Sequence, residues 1–319
     1  MELKTTEILG IKFRIIGDIL MSMDGALSII NTSENEQFFM FKNCAQGDFS
    51  ELFVKYTIPE LFEKYNCTNF SIENMGSEDV INLDRIEFPE KIKRITINSS
   101  ESANFIFSDR DSYFENLEFM TLKGEKPKKF PNCFNVKTIT NIATEGNVDR
   151  LNEWFDVSVI RSMSIDSFSE NDFSSLKEFK SLEMLQLWNR PKMRSLDGLE
   201  NLPKLRVLDI AYPTKLTDVS AILRTKNLKN IKFDKFKKIK NWDFLVDKKN
   251  IESLVIDTAE STEFVKKLPN LKYFFCEKAL DRNNKPVYYV PESMADITPQ
   301  SAFKDGWPYT KAFQLVAPE

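Results

Sequence analysis

Along most of this chain the phrase apolar-x-x-apolar-x-apolar keeps returning. It is plainest at Leu182, Leu185, Leu187; Leu205, Leu208, Ile210; Leu228, Ile231, Phe233; and Ile251, Leu254, Ile256, whose starts are each 23 residues apart. A fixed period in this range marks a stacked-repeat architecture, because a unit too small to bury its own apolar edge buries it against the next. Weaker copies start at Cys67, Ile92, Leu117, Val136, Ile160 and Leu271, giving ten candidate strands between residues 67 and 278. In the copy begun by Val136, polar Asn141 falls on the third inward place. A slip of one residue there turns every side chain over.

Strand alternation then assigns the faces. The first, fourth and sixth residues of a phrase point inward, so the third, fifth and seventh project from the open side of the sheet. In the early copies these outward places are mostly short and polar, with Phe119 as an exception; the copy at Val136 puts Thr138, Thr140 and Ile142 there. Later they include Met184, Gln186, Trp188, Asp209, Lys232, Tyr273 and Phe275. Aromatic and Met side chains on an otherwise polar sheet are what the centres of protein interfaces are enriched in. Those seven with Phe119 are the candidate partner-contact residues. For Trp188, Tyr273 and Phe275 the competing reading is internal packing, the last two under the C-terminal tail.

Ser181-Leu-Glu-Met-Leu-Gln-Leu followed by Ser195-Leu-Asp-Gly-Leu-Glu-Asn-Leu-Pro203 resembles a leucine-rich repeat of the short bacterial, internalin-like kind. Lys204-Leu-Arg-Val-Leu-Asp-Ile and Leu216-Thr-Asp-Val-Ser-Ala-Ile222 repeat the form. The match is specific over residues 158–276 and degenerate over 67–157. The resemblance implies an α/β solenoid, with a parallel sheet on the concave side and short helices or turns on the convex side. The family places Asn just past the third apolar position, where it bonds the backbone of neighbouring repeats. Here that place holds Arg190, Tyr212 or Pro213, Phe236 and Thr258, a departure that bears on the convex turns and leaves the sheet intact.

Residues 1–66 read as a different, β-rich unit. Ile11–Ile16 and Ala26–Ile30 flank the turn pair Asp24-Gly25, which favours a hairpin, and Gln37–Lys42 reads as a third strand. Between Asp48 and Tyr65 the apolar residues come at helical spacing, interrupted by Pro59. This segment is expected to cap the open edge of the first repeat. The alternative is a small domain with its own task. Residues 279–319, with Pro286, Pro291, Trp307 and Pro308, read as an irregular tail folded back as a second cap.

Composition narrows the chemistry. The chain of 319 residues carries 44 basic and 48 acidic side chains, a net charge of −4, so nothing overall pulls toward nucleic acid or an anionic membrane. A run from Lys226 to Lys240 has seven Lys against Asp234, without interleaved exposed aromatics, and reads as a solvated convex turn rather than a patch for an acidic partner or for phosphates. No stretch approaches 18 uncharged apolar residues, and Lys12, Arg14, Asp18 and Asp24 interrupt the N-terminus, so neither a membrane span nor a secretory signal is expected. Cys44, Cys67, Cys133 and Cys276 lack paired spacing and are expected to be reduced structural thiols in a cytoplasmic, monomeric protein. None has Asp two places on, unlike the nucleophile of bacterial ubiquitin ligases that carry such repeats.

The chain contains no histidine, which removes Ser-His-Asp and Cys-His machinery and His-ligated zinc. Nor does it contain a phosphate loop of the Gly-x-x-x-x-Gly-Lys form. No catalytic residue, cofactor or metal is called for. The leading expectation is a non-enzymatic scaffold that binds another protein on its concave face. Two alternatives stand beside it: an immunity or inhibitor protein masking a toxin or enzyme, and a glycan binder or carbohydrate-active enzyme built on a facing carboxylate pair.

Overall fold

A computed structural model describes residues 5–8, 11–16, 19–22, 27–33, 36–42, 69–73, 80–82, 90, 94–99, 104–106, 114–124 and 138–289. The chain divides into two compact units, one of residues 1–144 with 150–156, the other of 145–149 with 157–319.

In the first unit, β1 (Thr5–Ile8), β2 (Ile11–Ile16), β3 (Ile19–Ser22), β4 (Leu27–Ser33) and β5 (Glu36–Lys42) form an antiparallel meander. The expected third strand is β5. The expected pairing of Ile11–Ile16 with Ala26–Ile30 is corrected, since β3 stands between them and pairs with both. Asp24-Gly25 therefore joins β3 to β4, and the short Gly17-Asp18 link joins β2 to β3.

β5 then runs parallel to β6 (Asn69–Glu73), placing Phe39 opposite Phe70. The outer edge of the first repeat strand is thus hydrogen-bonded to the meander rather than left open, which is how a sheet edge is kept from pairing with other chains. The helical segment expected between Asp48 and Tyr65 lies outside the described residues.

The ladder continues in parallel through β8 (Arg94–Ser99), β10 (Phe119–Gly124) and β11 (Asn141–Glu145), while β7 (Val80–Asn82) and β9 (Asn104–Ile106) pair as a separate parallel ribbon. Ile95 sits opposite both Phe70 and Met120, as the repeat phrase requires. At β11 the expected register fails. Met120 pairs with Ile142, and Ile139, Ile142 and Thr144 are the buried residues, so the phrase begins at Ile139 and not at Val136. Ile142 points inward, and Asn141 lies on the outer side with its amide against Thr140 Oγ1 and the Glu118 carbonyl. The inward place expected for Asn141 is corrected to an outward one.

The second unit stacks six further parallel strands: β12 (Ser162–Asp166), β13 (Met184–Trp188), β14 (Val207–Ala211), β15 (Asn230–Asp234), β16 (Ser253–Ala259) and β17 (Tyr273–Ala279). Their registers match the phrase throughout. Met163, Leu185, Leu208, Ile231, Leu254 and Phe274 line up across the sheet, each at most 1 % exposed. Opposite the sheet run 3₁₀ turns at Ser174–Leu176, Leu199–Asn201, Ser220–Arg224, Asp243–Asp247 and Glu263–Lys267. Their inward Leu176, Leu199, Ile222, Leu245 and Phe264 close the core. A parallel sheet, a leucine layer and short turns repeating at one period make this a leucine-rich-repeat solenoid of α/β class.

Three devices shape the repeats and join them. The turns open on side-chain caps: Asp172 accepts from the Ser174 N–H, Asp218 from Ser220, Asn241 from Asp243 and Ser261 from Glu263. Strands end on a left-handed residue, at Ser167, Asn189, Tyr212 and Lys235, where the sheet would expect extended backbone. The Ser167 and Tyr212 N–H groups then reach the last carbonyl of the next strand, at Trp188 and Asp234. Finally, Asn227, Asn250 and Asn270, each one place before the first apolar residue, donate to carbonyls of the preceding repeat at Pro203, Lys226 with Leu228, and Lys249. The Asn tie missing from its usual place is supplied from the other end of the strand.

After β17 the chain turns through left-handed Asn283 and Asn284 into β18 (Lys285–Tyr289), antiparallel to β17. The start of the tail is therefore a regular strand, a correction to the irregular reading. Pro286 is tolerated because β18 is an edge strand. Residues 290–319, including Trp307 and Tyr309, lie outside the described residues. No helix among the described residues is long and apolar enough to cross a membrane.

Candidate recognition surface

The side of the second unit's sheet that faces away from the leucine layer is ordered in rows. One row runs Ser164, Gln186, Asp209, Lys232, Val255, Phe275 across β12 to β17. At β12 and β13 it alternates as a half-open sheet should, with Met184, Gln186 and Trp188 half-buried between fully buried Leu185 and Leu187. Trp188 is held in place: its indole N–H donates to Ser164 Oγ at 3.1 Å, and Lys232 Nζ stands 5.4 Å from its ring centre. A cation at that distance over an indole is an attractive contact that also fixes the ring.

Further along, the alternation disappears. Every residue of β14 and of β16 is buried, as are the first four of β15. Asp209 and Lys232, expected on an open face, are each 2 % exposed and form an ion pair of 3.4 Å. Burial pushes the Asp209 carboxyl up to about 6, against the pull of Lys232 and a hydrogen bond from Gln186. Burial likewise lowers the Lys232 ammonium, while Asp209 and Asp234 resist. Tyr273 is 3 % exposed, so it too is removed from the set of open-face residues. Phe275 is half-buried and pairs across the strands with Tyr288. In the first unit Phe119 is half-buried on β10.

Two features escaped the reading of contact residues. The second place of each phrase forms a charge ladder, in which Glu183 bridges Arg161 at 2.7 Å and Arg206 at 2.6 Å, and Glu252 bridges Lys229 at 2.7 Å and Lys272 at 2.8 Å. The signal is present in the sequence as charged residues at one fixed offset, with Glu183 and Glu252 each standing between two bases. Beyond it, Asp257 on β16 and Glu277 on β17 are a hydrogen-bonded carboxylate pair. Burial first, then Glu277, pushes Asp257 up to about 6. The Lys235 N–H meets Asp257 Oδ1 at 3.1 Å and its ammonium lies 3.6 Å from Glu277, so this loop lysine compensates the pair. Asp257 is only 4 % exposed and does not line an open cleft.

The lysine run does not form one patch. Lys229 is committed to Glu252, Lys232 to Asp209 and Lys235 to Glu277, leaving Lys226 exposed before β15 and Lys237, Lys238 and Lys240 exposed on the turn after it. Cys276 is a buried free thiol, pushed up to about 11 by burial, as a core filler should be; Cys44, Cys67 and Cys133 lie outside the described residues. Among the described residues there is no group of three or more Cys, Asp and Glu that could hold a metal ion.

No family model and no curated protein sequence matches the chain. Among solved structures, an internalin (inlF) from Listeria monocytogenes str. 4b F2365 is similar over 67% of this chain and 68% of that one, with a TM-score of 0.44 and 10% identity.

Proposed function

We propose that this chain is a non-enzymatic, protein-binding scaffold that meets its partner on the outer face of β12 and β13, with Trp188 at the centre. The observation that carries this reading is the posture of Trp188: half-exposed on a sheet, yet held by Ser164 and Lys232 before any partner arrives. Binding residues of this kind lose little freedom on association, and large aromatic side chains dominate interface energies. Met184 and Gln186 extend the contact, and Ser162, Ser164 and Asp166 supply its polar margin. Asp209 and Lys232 act from the adjacent strands of the same face, by fixing Gln186 and Trp188. Tyr273 and Phe275 serve packing at the β17 end. Phe119 is a separate contact candidate on the first unit.

Capture from a lysate of the native host tests this. Full-length protein and its Trp188→Ala form are immobilised side by side, and recovered proteins are identified by mass spectrometry. A partner retained by the unaltered chain and by Lys237→Ala but lost by Trp188→Ala supports the reading; a partner retained equally by all three contradicts it.

A further inference from the structure

Along the chain the exposed bases of the second unit are scattered, but across the repeats they fall into line. Lys192, Lys215 and Lys238 are each 23 residues apart, the same step that puts Leu185 opposite Leu208 and Leu208 opposite Ile231. The loops that carry them stack on one another. The Arg194 N–H donates to the Asn171 carbonyl, Thr217 to Arg194 and Glu260 to Lys240, and Ser195 bridges in parallel to Asp218. Lys192, Lys215 and Lys238 therefore stand on successive steps of one row, past the ends of β13, β14 and β15, at about 5 Å per step. All three are exposed, as are Arg190, Arg194 and Lys240 on the same loops.

Like charges on adjacent steps repel one another, and elsewhere this unit avoids that cost by pairing its bases. Arg161, Arg206, Arg224, Lys229 and Lys272 each meet a carboxylate; among the described residues no member of the row does. The acids on these loops are engaged otherwise, Asp197 with Arg224 and Asp218 as the cap of the Ser220 N–H. Acids also close the row at both ends: Glu170 and Asp172 follow β12, and Glu260 and Asp281 follow β16 and β17.

We infer that the loops after β13, β14 and β15 form a second interaction surface, on which Lys192, Lys215 and Lys238 hold a short acidic segment of a partner protein by its carboxylates. Alternate side chains of an extended segment stand about 6.6 Å apart, and flexible lysine stems take up the difference from the spacing of the row. Tyr212, 45 % exposed at the start of the middle loop, adds an apolar contact beside the charges. A polynucleotide fits less well. It would run on over the acidic ends, it finds a single exposed aromatic on these loops to stack against, and the net charge of −4 opposes its approach. The surface uses none of the residues assigned to the Trp188 contact, so neither reading depends on the other.

Fluorescence anisotropy of a labelled hexaglutamate peptide, titrated with the full-length protein at low salt, tests the assignment. Lys192→Glu/Lys215→Glu/Lys238→Glu is expected to weaken binding about tenfold or more. Lys177→Glu/Lys204→Glu/Lys249→Glu, an equal change of charge at exposed lysines elsewhere on the unit, should weaken it less than about threefold, and Trp188→Ala should leave it unchanged. Both triple variants should melt as the unaltered protein does; Lys192→Gln/Lys215→Gln/Lys238→Gln, expected to weaken binding about fivefold, replaces the charge reversal if that variant does not fold. Four results would each overturn the inference: no binding of the peptide to the unaltered chain, equal losses in the two triple variants, loss of binding in Trp188→Ala, or tighter binding of a labelled oligothymidylate of equal charge, which would make the surface a nucleic-acid site.

Discussion

Lys232 Nζ lies 3.4 Å from Asp209 Oδ1 on the adjacent strand, with both side chains all but removed from water. Two desolvated charges cost more than their attraction returns unless each has its partner, so removing one is far worse than replacing both. Lys232→Ala or Asp209→Ala is expected to cost roughly 3 kcal/mol or more, whereas Asp209→Leu/Lys232→Met together should cost under about 1 kcal/mol or stabilise. Urea unfolding of the three variants checks this. A double variant as unstable as the sum of the singles would mean that the pair is not coupled.

The charge ladder predicts a response to acid of one sign and the buried carboxylates one of the other. Glu183 is held below its ordinary value: burial opposes this, but the bonds to Arg161 and Arg206 prevail. Its stabilisation is therefore present above the unfolded value of 4.5 and is lost as pH falls through the lower folded value. Glu183→Gln should cost about 1 kcal/mol at pH 7 and progressively less as pH falls below 4.5. Asp209, raised to about 6, behaves oppositely, and its ionised form weakens the fold as pH rises through that value. Asp209→Leu/Lys232→Met should accordingly show less loss of stability than the unaltered protein between pH 5 and pH 7, measured by thermal melting across pH.

Gly198 has φ of 94°, and a Cβ there would stand 2.6 Å from the Phe173 carbonyl carbon and 2.7 Å from the Ser174 nitrogen, both backbone of the preceding repeat. Neither can yield without moving a turn. Gly198→Ala is expected to cost roughly 2 kcal/mol or more. Gly146, at φ of 71°, has open space around the same position, so Gly146→Ala carries only the conformational cost of about 1 kcal/mol. Equal melting temperatures for the two variants would show that close packing at Gly198 is not what requires glycine.

The sheet was legible because inward Leu, Ile and Met at a fixed offset leave one register that buries them all, from Met163 to Phe274. That argument weakened where the inward residues were not aliphatic. At β11, Thr144 takes an inward place and Val136 offers a false start, so the periodicity alone shifted the phrase by three residues. β3 was missed because Ile19–Ser22 is too short to read apart from its neighbours. Which outward residues would be open was not legible at all. Strand alternation says which way Asp209 and Lys232 point; it does not say how far each is removed from water. Trp188 and Met184, on β13, keep the half-buried state that alternation expects of outward residues.

Once a partner is in hand, isothermal titration measures the role of Trp188 directly. Trp188→Ala is expected to weaken binding by about 2 kcal/mol or more with the fold unchanged, while Lys237→Ala, on an exposed turn off the sheet, changes it by less than about 0.5 kcal/mol. A larger loss at Lys237 than at Trp188 would put the binding surface on the other side of the solenoid.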